Sequence, residues 1–181
     1  MSDIGHSARN SAIGRTIGIG AIAGIVAGAI MAMYAMLASA AFLQQGFFTP
    51  LYGIASPLIG SNAMMTSMQQ GLYFSFGAAL LGLIVHVMWA AGYGIVFFLL
   101  ARAVRLHGAQ AIIAGILYGI ALELVMSLIV LPLLGLGGMP GTIGLPSFTV
   151  EHLLFGATLG IWVAWRPGDV TAAIATVPGV R

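Results

Sequence analysis

The sequence predicts an all-α integral membrane protein: a four-helix bundle of two tandem helical hairpins, with both termini on the cytoplasmic side. Three observations predict it. Of 181 residues, 60% are hydrophobic and only 6% charged, whereas about a quarter of the residues of a soluble domain are charged. Between Arg15 and Arg102 there is no Asp, Glu, Lys or Arg, a run of 101 − 15 = 86 residues that no water-facing surface would tolerate. The basic residues, all six of them arginines, fall in alternate connections between four apolar stretches.

Residues 1–16 form a polar N-terminal segment rich in Ser, Gly and Asn. The apolar run that follows has no evident cleavage site and is too long for a signal peptide, so it is expected to be a retained first span. A hydrocarbon core about 30 Å thick takes roughly 20 residues of helix at about 1.5 Å rise each. The transmembrane domain is expected over 17–165, with spans at about 17–43, 72–101, 109–134 and 147–165. Helix is the expected state because unpaired backbone groups in hydrocarbon cost several kcal/mol, and the gapless apolar runs lack the alternation of barrel strands.

Orientation follows from the arginines. Arg9 and Arg15 precede span one, Arg102 and Arg105 separate spans two and three, and Arg166 and Arg181 follow span four. Positive charge in short connections marks the cytoplasmic face, which predicts a multi-pass protein of the cell (inner or plasma) membrane with both ends inside. The outer loop 44–71 is charge-free and apolar, with Pro50, Pro57, Phe47, Phe48, Met64, Met65 and Met68. Such a loop is expected to lie at the interface as a short helix, re-enter the bundle, or be covered by a partner. The second outer connection, Gly135 to Pro146, is rich in Gly and Pro and reads as a compact turn, and 166–181 reads as a C-terminal tail.

Two weak internal echoes predict the hairpin pairing. Ala23-Gly24-Ile25-Val26-Ala27-Gly28 in span one is matched by Ala114-Gly115-Ile116-Leu117-Tyr118-Gly119 in span three. His86 and Gly94 in span two are matched by His152 and Gly160 in span four. The pattern predicts a duplication about an axis along the membrane normal. Gly20, Gly24 and Gly28, Gly115 and Gly119, and Gly156 and Gly160 are spaced as small-xxx-small motifs, which let helices approach closely in lipid. They are expected to serve the internal bundle in preference to a dimer seam.

Ionisable groups inside spans cost roughly 2.5 to 3.5 kcal/mol on insertion scales, so each calls for a reason. The chain places His86, Glu123, His152 and Glu151 there. His86 lies 102 − 86 = 16 residues from Arg102, His152 lies 166 − 152 = 14 from Arg166, and Glu123 lies 123 − 107 = 16 from His107. These spacings put them in one layer, about 21 to 24 Å from the inner anchors, and Met31 joins it from span one.

Three readings of that layer stand side by side. In the first, Glu123 shares a core hydrogen bond with a histidine and fixes register. In the second, His86 and His152 ligate haem b or a metal ion, with Met31 or Glu123 as a further ligand. In the third, the layer is a proton or substrate path. The outer methionines are of the type that captures Cu(I), although adaptable packing explains thioethers in so apolar a chain more simply. Trp89, Trp162 and Trp165 read as packing residues or interfacial anchors.

There is no cysteine, which excludes disulfides, thiolate metal sites and cysteine nucleophiles. There is no P-loop, GxSxG or HExxH, and the pI of about 9.4 comes from scattered arginines, so nucleic acid is not an expected partner. The segments Gly46-Phe-Phe-Thr-Pro-Leu-Tyr-Gly-Ile-Ala-Ser-Pro-Leu-Ile-Gly60 and His152-Leu-Leu-Phe-Gly-Ala-Thr-Leu-Gly160 resemble those of uncharacterised small multi-span membrane proteins of prokaryotes. That resemblance implies a topology and no activity. With no catalytic motif and little mass outside the bilayer, the leading expectation is a non-enzymatic accessory or scaffold subunit, associated with other membrane subunits or with itself. The alternatives are a haem- or metal-binding electron carrier using His86 and His152, and a small transporter or proton channel using Glu123.

Overall fold

In the computed structural model, the structure describes the backbone of residues 2–165 and the side chains of 11–142 and 144–165. Every regular element among the described residues is helical. In order it forms α1 (Ser2–Ala41), α2 (Thr49–Ile59), α3 (Asn62–Gln69), α4 (Phe76–Ala103), α5 (Gly108–Val125), a π-helical stretch (Met126–Val130), α6 (Leu131–Leu133), α7 (Met139–Ile143) and α8 (Leu145–Ala164). The expected tail 166–181, with Arg166 and Arg181, lies outside the described residues.

Four helical segments are long and apolar enough to cross a membrane: Ser11–Ala41, Phe76–Ala103, Gly108–Leu133 and Leu145–Ala164. Their outer surfaces are what lipid requires and water forbids, with Leu128 71% and Met88 69% exposed. The helix of span one begins at Ser2 and not near Ile17, because the polar N-terminal residues continue the same helix. Span three continues through the π stretch to Leu133. Pro132 accounts for the irregularity: it has no N–H for the carbonyl one turn back, and its ring crowds that turn.

Glycine decides which spans touch. A Cβ built on Gly24 would run into the Ala90 carbonyl of α4, and one on Gly94 into the Gly20 carbonyl of α1. The same happens between α5 and α8, where Gly115 meets the Gly156 carbonyl, Gly119 the His152 carbonyl and Gly160 the Ala111 carbonyl. In both pairs backbone lies on backbone, which maximises dispersion contact where apolar burial gives no driving force. The glycines of the small-xxx-small motifs thus all face another helix of the same chain.

α1 also packs against α8, whereas α4 and α5 make only a loose main-chain approach. Aromatic side chains fill that wider seam. The Tyr118 hydroxyl donates to the Tyr93 carbonyl at 2.8 Å, and the Phe97 and Tyr118 rings lie 5.2 Å apart. Across the seam, the Tyr93 hydroxyl reaches Met126 Sδ at 3.6 Å.

The connection between spans one and two is folded back onto α4. α2 packs on α4 so closely that a Cβ on Gly82 would strike the Leu51 carbonyl. Tyr52 is buried, and its hydroxyl accepts the Ser75 N–H at 2.9 Å at the start of α4. Ser39 donates to the Gly46 carbonyl, Gly46 N–H donates to the Ser67 carbonyl, and the Thr49 and Ser67 hydroxyls pair at 2.8 Å. These bonds satisfy polar groups that an apolar, charge-free segment would otherwise strand. At the opposite end, Arg102 of α4 donates to the Ala12 carbonyl and to Thr16 Oγ1 of α1, at 2.7 and 2.8 Å.

Candidate functional site: an intramembrane carboxyl and imidazole layer

The small residues that seat α8 against its neighbours also fix which of its polar groups are enclosed. Phe148, Glu151, His152, Phe155, Gly156, Leu159 and Gly160 are its buried residues, a stripe at helical spacing. Glu151 and His152 are each only 4% exposed. A helix advances about 100° per residue, so these two adjacent side chains leave α8 in different directions.

His152 Nδ1–H donates to the Phe148 carbonyl at 2.9 Å, and the two rings lie 4.4 Å apart. That bond fixes the neutral tautomer and leaves Nε2 with the lone pair. His86 takes the opposite tautomer: its Nε2–H donates across the α1–α4 seam to the Gly28 carbonyl at 2.9 Å. Glu123 accepts a hydrogen bond from the Thr149 hydroxyl at 2.6 Å, which ties span three to span four. No hydrogen bond joins any two of His86, Glu123 and His152 among the described residues. Where the first of the three readings has Glu123 bonded to a histidine, Glu123 accepts from Thr149 and each imidazole engages one nitrogen with a backbone carbonyl.

Glu151 differs from the others. Its Oε1 is fully enclosed and has no hydrogen-bond partner among the described residues. Ser147, one turn earlier on α8, likewise has a buried hydroxyl without a partner, as does Ser127 in the π stretch. A buried polar atom of this kind forfeits its hydration without recovering a protein bond, a penalty of about 1 to 3 kcal/mol and more if it is charged. A carboxyl in such a place is held neutral by a proton, or meets a ligand that supplies the missing partner.

No known family model, curated protein or solved structure matches this chain. The site's chemistry therefore rests on its own residues.

His86 and His152 do not both present the Nε2 that a bis-histidine haem takes. Among the described residues no group of three or more His, Cys, Asp or Glu is arranged to hold a metal ion. Haem iron takes an imidazole Nε2 with Nδ1 anchored behind it. His152 meets that requirement, but the Nε2–H of His86 is committed to Gly28. Met31 packs against the apolar cluster around Ala23 and Ala27, as a core side chain does. The two adjacent residues thus differ: the Glu151 carboxyl has an enclosed, unpartnered oxygen among the described residues, and His152, pointing another way from α8, has one ring nitrogen engaged with a carbonyl.

Reading the sequence by depth finds all four ionisable groups but gives Glu123 precedence over Glu151. The stripe Phe148, Glu151/His152, Phe155/Gly156 and Leu159/Gly160 is the signal that places Glu151 inside.

Proposed function

We propose that this protein binds a proton at Glu151, in the intramembrane layer formed with His152, Glu123 and His86, and that it carries protons across the bilayer or couples them to a second solute. One observation carries the reading: Glu151 Oε1 is enclosed and unpartnered among the described residues, on a helix long and apolar enough to cross a membrane. A scaffold helix gains nothing from such a group, since an apolar residue of similar volume packs there at no electrostatic penalty. Protonated, the carboxyl is tolerated in the interior. Ionised, it drives a rearrangement that brings it to water or to His152. The π stretch after Glu123 and Pro132 is a place where span three can adjust, since its backbone hydrogen bonding is already irregular. The test is proton flux into proteoliposomes loaded with a pH-sensitive dye, comparing wild type with Glu151→Gln.

The proposal includes an orientation and an ancestry. Arg15 precedes the apolar part of α1, while Arg102 and Arg105 close α4, and the Arg102 bonds to Ala12 and Thr16 put these arginines at one end of the bundle. The positive-inside rule makes that end cytoplasmic and the 44–71 loop external. Two tandem hairpins, α1 with α4 and α5 with α8, are proposed as duplicates. The contact of Gly24 with Ala90 and Gly94 corresponds to that of Gly115 with Gly156 and Gly160. The offset is 115 − 24 = 91 in the first helix of each pair and 160 − 94 = 66 in the second.

An accessory or scaffold subunit is the second reading. The four long helices and the connections between them account for nearly all of the described chain. Purification in mild detergent tests it, since a functional monomer with no associated subunit contradicts an obligate accessory role.

A further inference from the structure

The loop-bearing end of the bundle holds a second feature, independent of the Glu151 layer. A cavity of about 210 Å³ lies between the two connections there, and its wall includes Met64 and Met68 of α3 and Met139 of α7. Met64 and Met68 are one helical turn apart and share a face of α3. Met139 comes from the other connection, 71 residues further along the chain than Met68 (139 − 68). Gly53 of α2 brings the two connections together. The space where its Cβ would sit is taken by the Met139 methyl, and the Met64 and Met139 sulfurs lie 3.4 and 3.6 Å from that point.

We infer that Met64, Met68 and Met139 form a thioether site for a soft monovalent cation, Cu(I) or Ag(I). Each polar side chain in the same wall already has a hydrogen-bond partner: Ser39 the Gly46 carbonyl, Thr49 the Ser67 hydroxyl, Gln45 the Thr142 carbonyl, and Thr142 the Gly138 carbonyl. No carboxylate lines the cavity. Hard divalent cations need several oxygen ligands, usually with charged carboxylates among them, whereas neutral thioethers favour soft ions of low charge. Met65, next in sequence to Met64, serves as the internal contrast. It is exposed, receives a hydrogen bond from the Ser61 hydroxyl and does not line the cavity.

The test is calorimetric titration of the purified full-length protein in detergent with Ag(I), in chloride-free buffer. It compares wild type with Met64→Leu, Met68→Leu, Met139→Leu, their triple combination and Met65→Leu. Leu for Met conserves core volume and is usually tolerated. The site predicts one saturable Ag(I) per chain, at least tenfold weaker binding in each lining variant, no saturable binding in the triple variant, and wild-type affinity in Met65→Leu. Absence of saturable binding in wild type overturns it, and so does wild-type affinity in the triple variant. If the triple variant does not fold, Met139→Leu decides alone, with unchanged affinity counting against the site.

Discussion

The Thr149 hydroxyl donates to Glu123 Oε1 at 2.6 Å, while Glu151, two residues further along the same helix, keeps an enclosed carboxyl oxygen with no partner. One helix thus satisfies a neighbour's carboxylate and leaves its own unsatisfied. Under the proposed function, Glu123 is the structural acid and Glu151 the proton-binding one.

Thr149→Val removes the donor while preserving shape. A double-mutant cycle with Glu123→Met, read from thermal or denaturant unfolding in detergent, is expected to give a coupling of about 0.5 to 1.5 kcal/mol. A coupling near zero would mean that the bond contributes nothing to span-three and span-four association.

Gly24→Ala and Gly115→Ala each force a methyl into a backbone carbonyl of the facing helix. Both are expected to lower stability by about 2 kcal/mol or more, within the range for overpacking a close-packed seam. Gly18→Ala and Gly92→Ala meet open space and are expected to be neutral or slightly stabilising, since Ala is the better helix former. Similar losses at Gly24 and Gly115 are the outcome that two equivalent hairpins predict; a loss at one alone would speak against them.

The chain has no cysteine, so single-cysteine labelling reads its orientation without background. Asn62→Cys in the 44–71 connection is expected to react with an impermeant maleimide added to intact cells, whereas His107→Cys is expected to react only after permeabilisation. Both positions are exposed. The reversed pattern would invert the proposed topology.

Much of this architecture is legible in the sequence, for identifiable reasons. The four membrane-length helices are visible because the bilayer sets a length that apolar runs must match, and Phe76–Ala103 and Gly108–Leu133 begin or end within a few residues of where those runs do. The start of α1 is not visible, because Ser, Asn and Gly in residues 2–12 mark no span yet continue the helix. Depth along a span can be counted from the arginines, and it brings His86, Glu123 and His152 to similar heights. Azimuth cannot be counted until the partner helix is known, and azimuth separates Glu151 from its neighbour His152. The Tyr93, Phe97 and Tyr118 seam escapes for a related reason: whether aromatic residues face lipid or bridge two helices depends on how far apart the helices stand. The Met64 and Met139 convergence depends on two distant connections meeting over Gly53.

Glu151→Leu is expected to raise thermal stability or leave it unchanged, because an apolar residue of similar size needs no partner in the interior. The same substitution is expected to abolish function, the signature of a site maintained against packing preference. A fall of several kcal/mol in stability would instead make Glu151 a structural residue.

Proton flux through proteoliposomes carrying Glu151→Gln tests the central claim most directly, because the amide keeps the shape of the carboxyl and cannot exchange a proton at physiological pH. Wild type is expected to conduct above protein-free vesicles, and the variant, correctly folded and inserted, to retain less than a tenth of that flux. Flux in Glu151→Gln equal to wild type would contradict a proton site at Glu151.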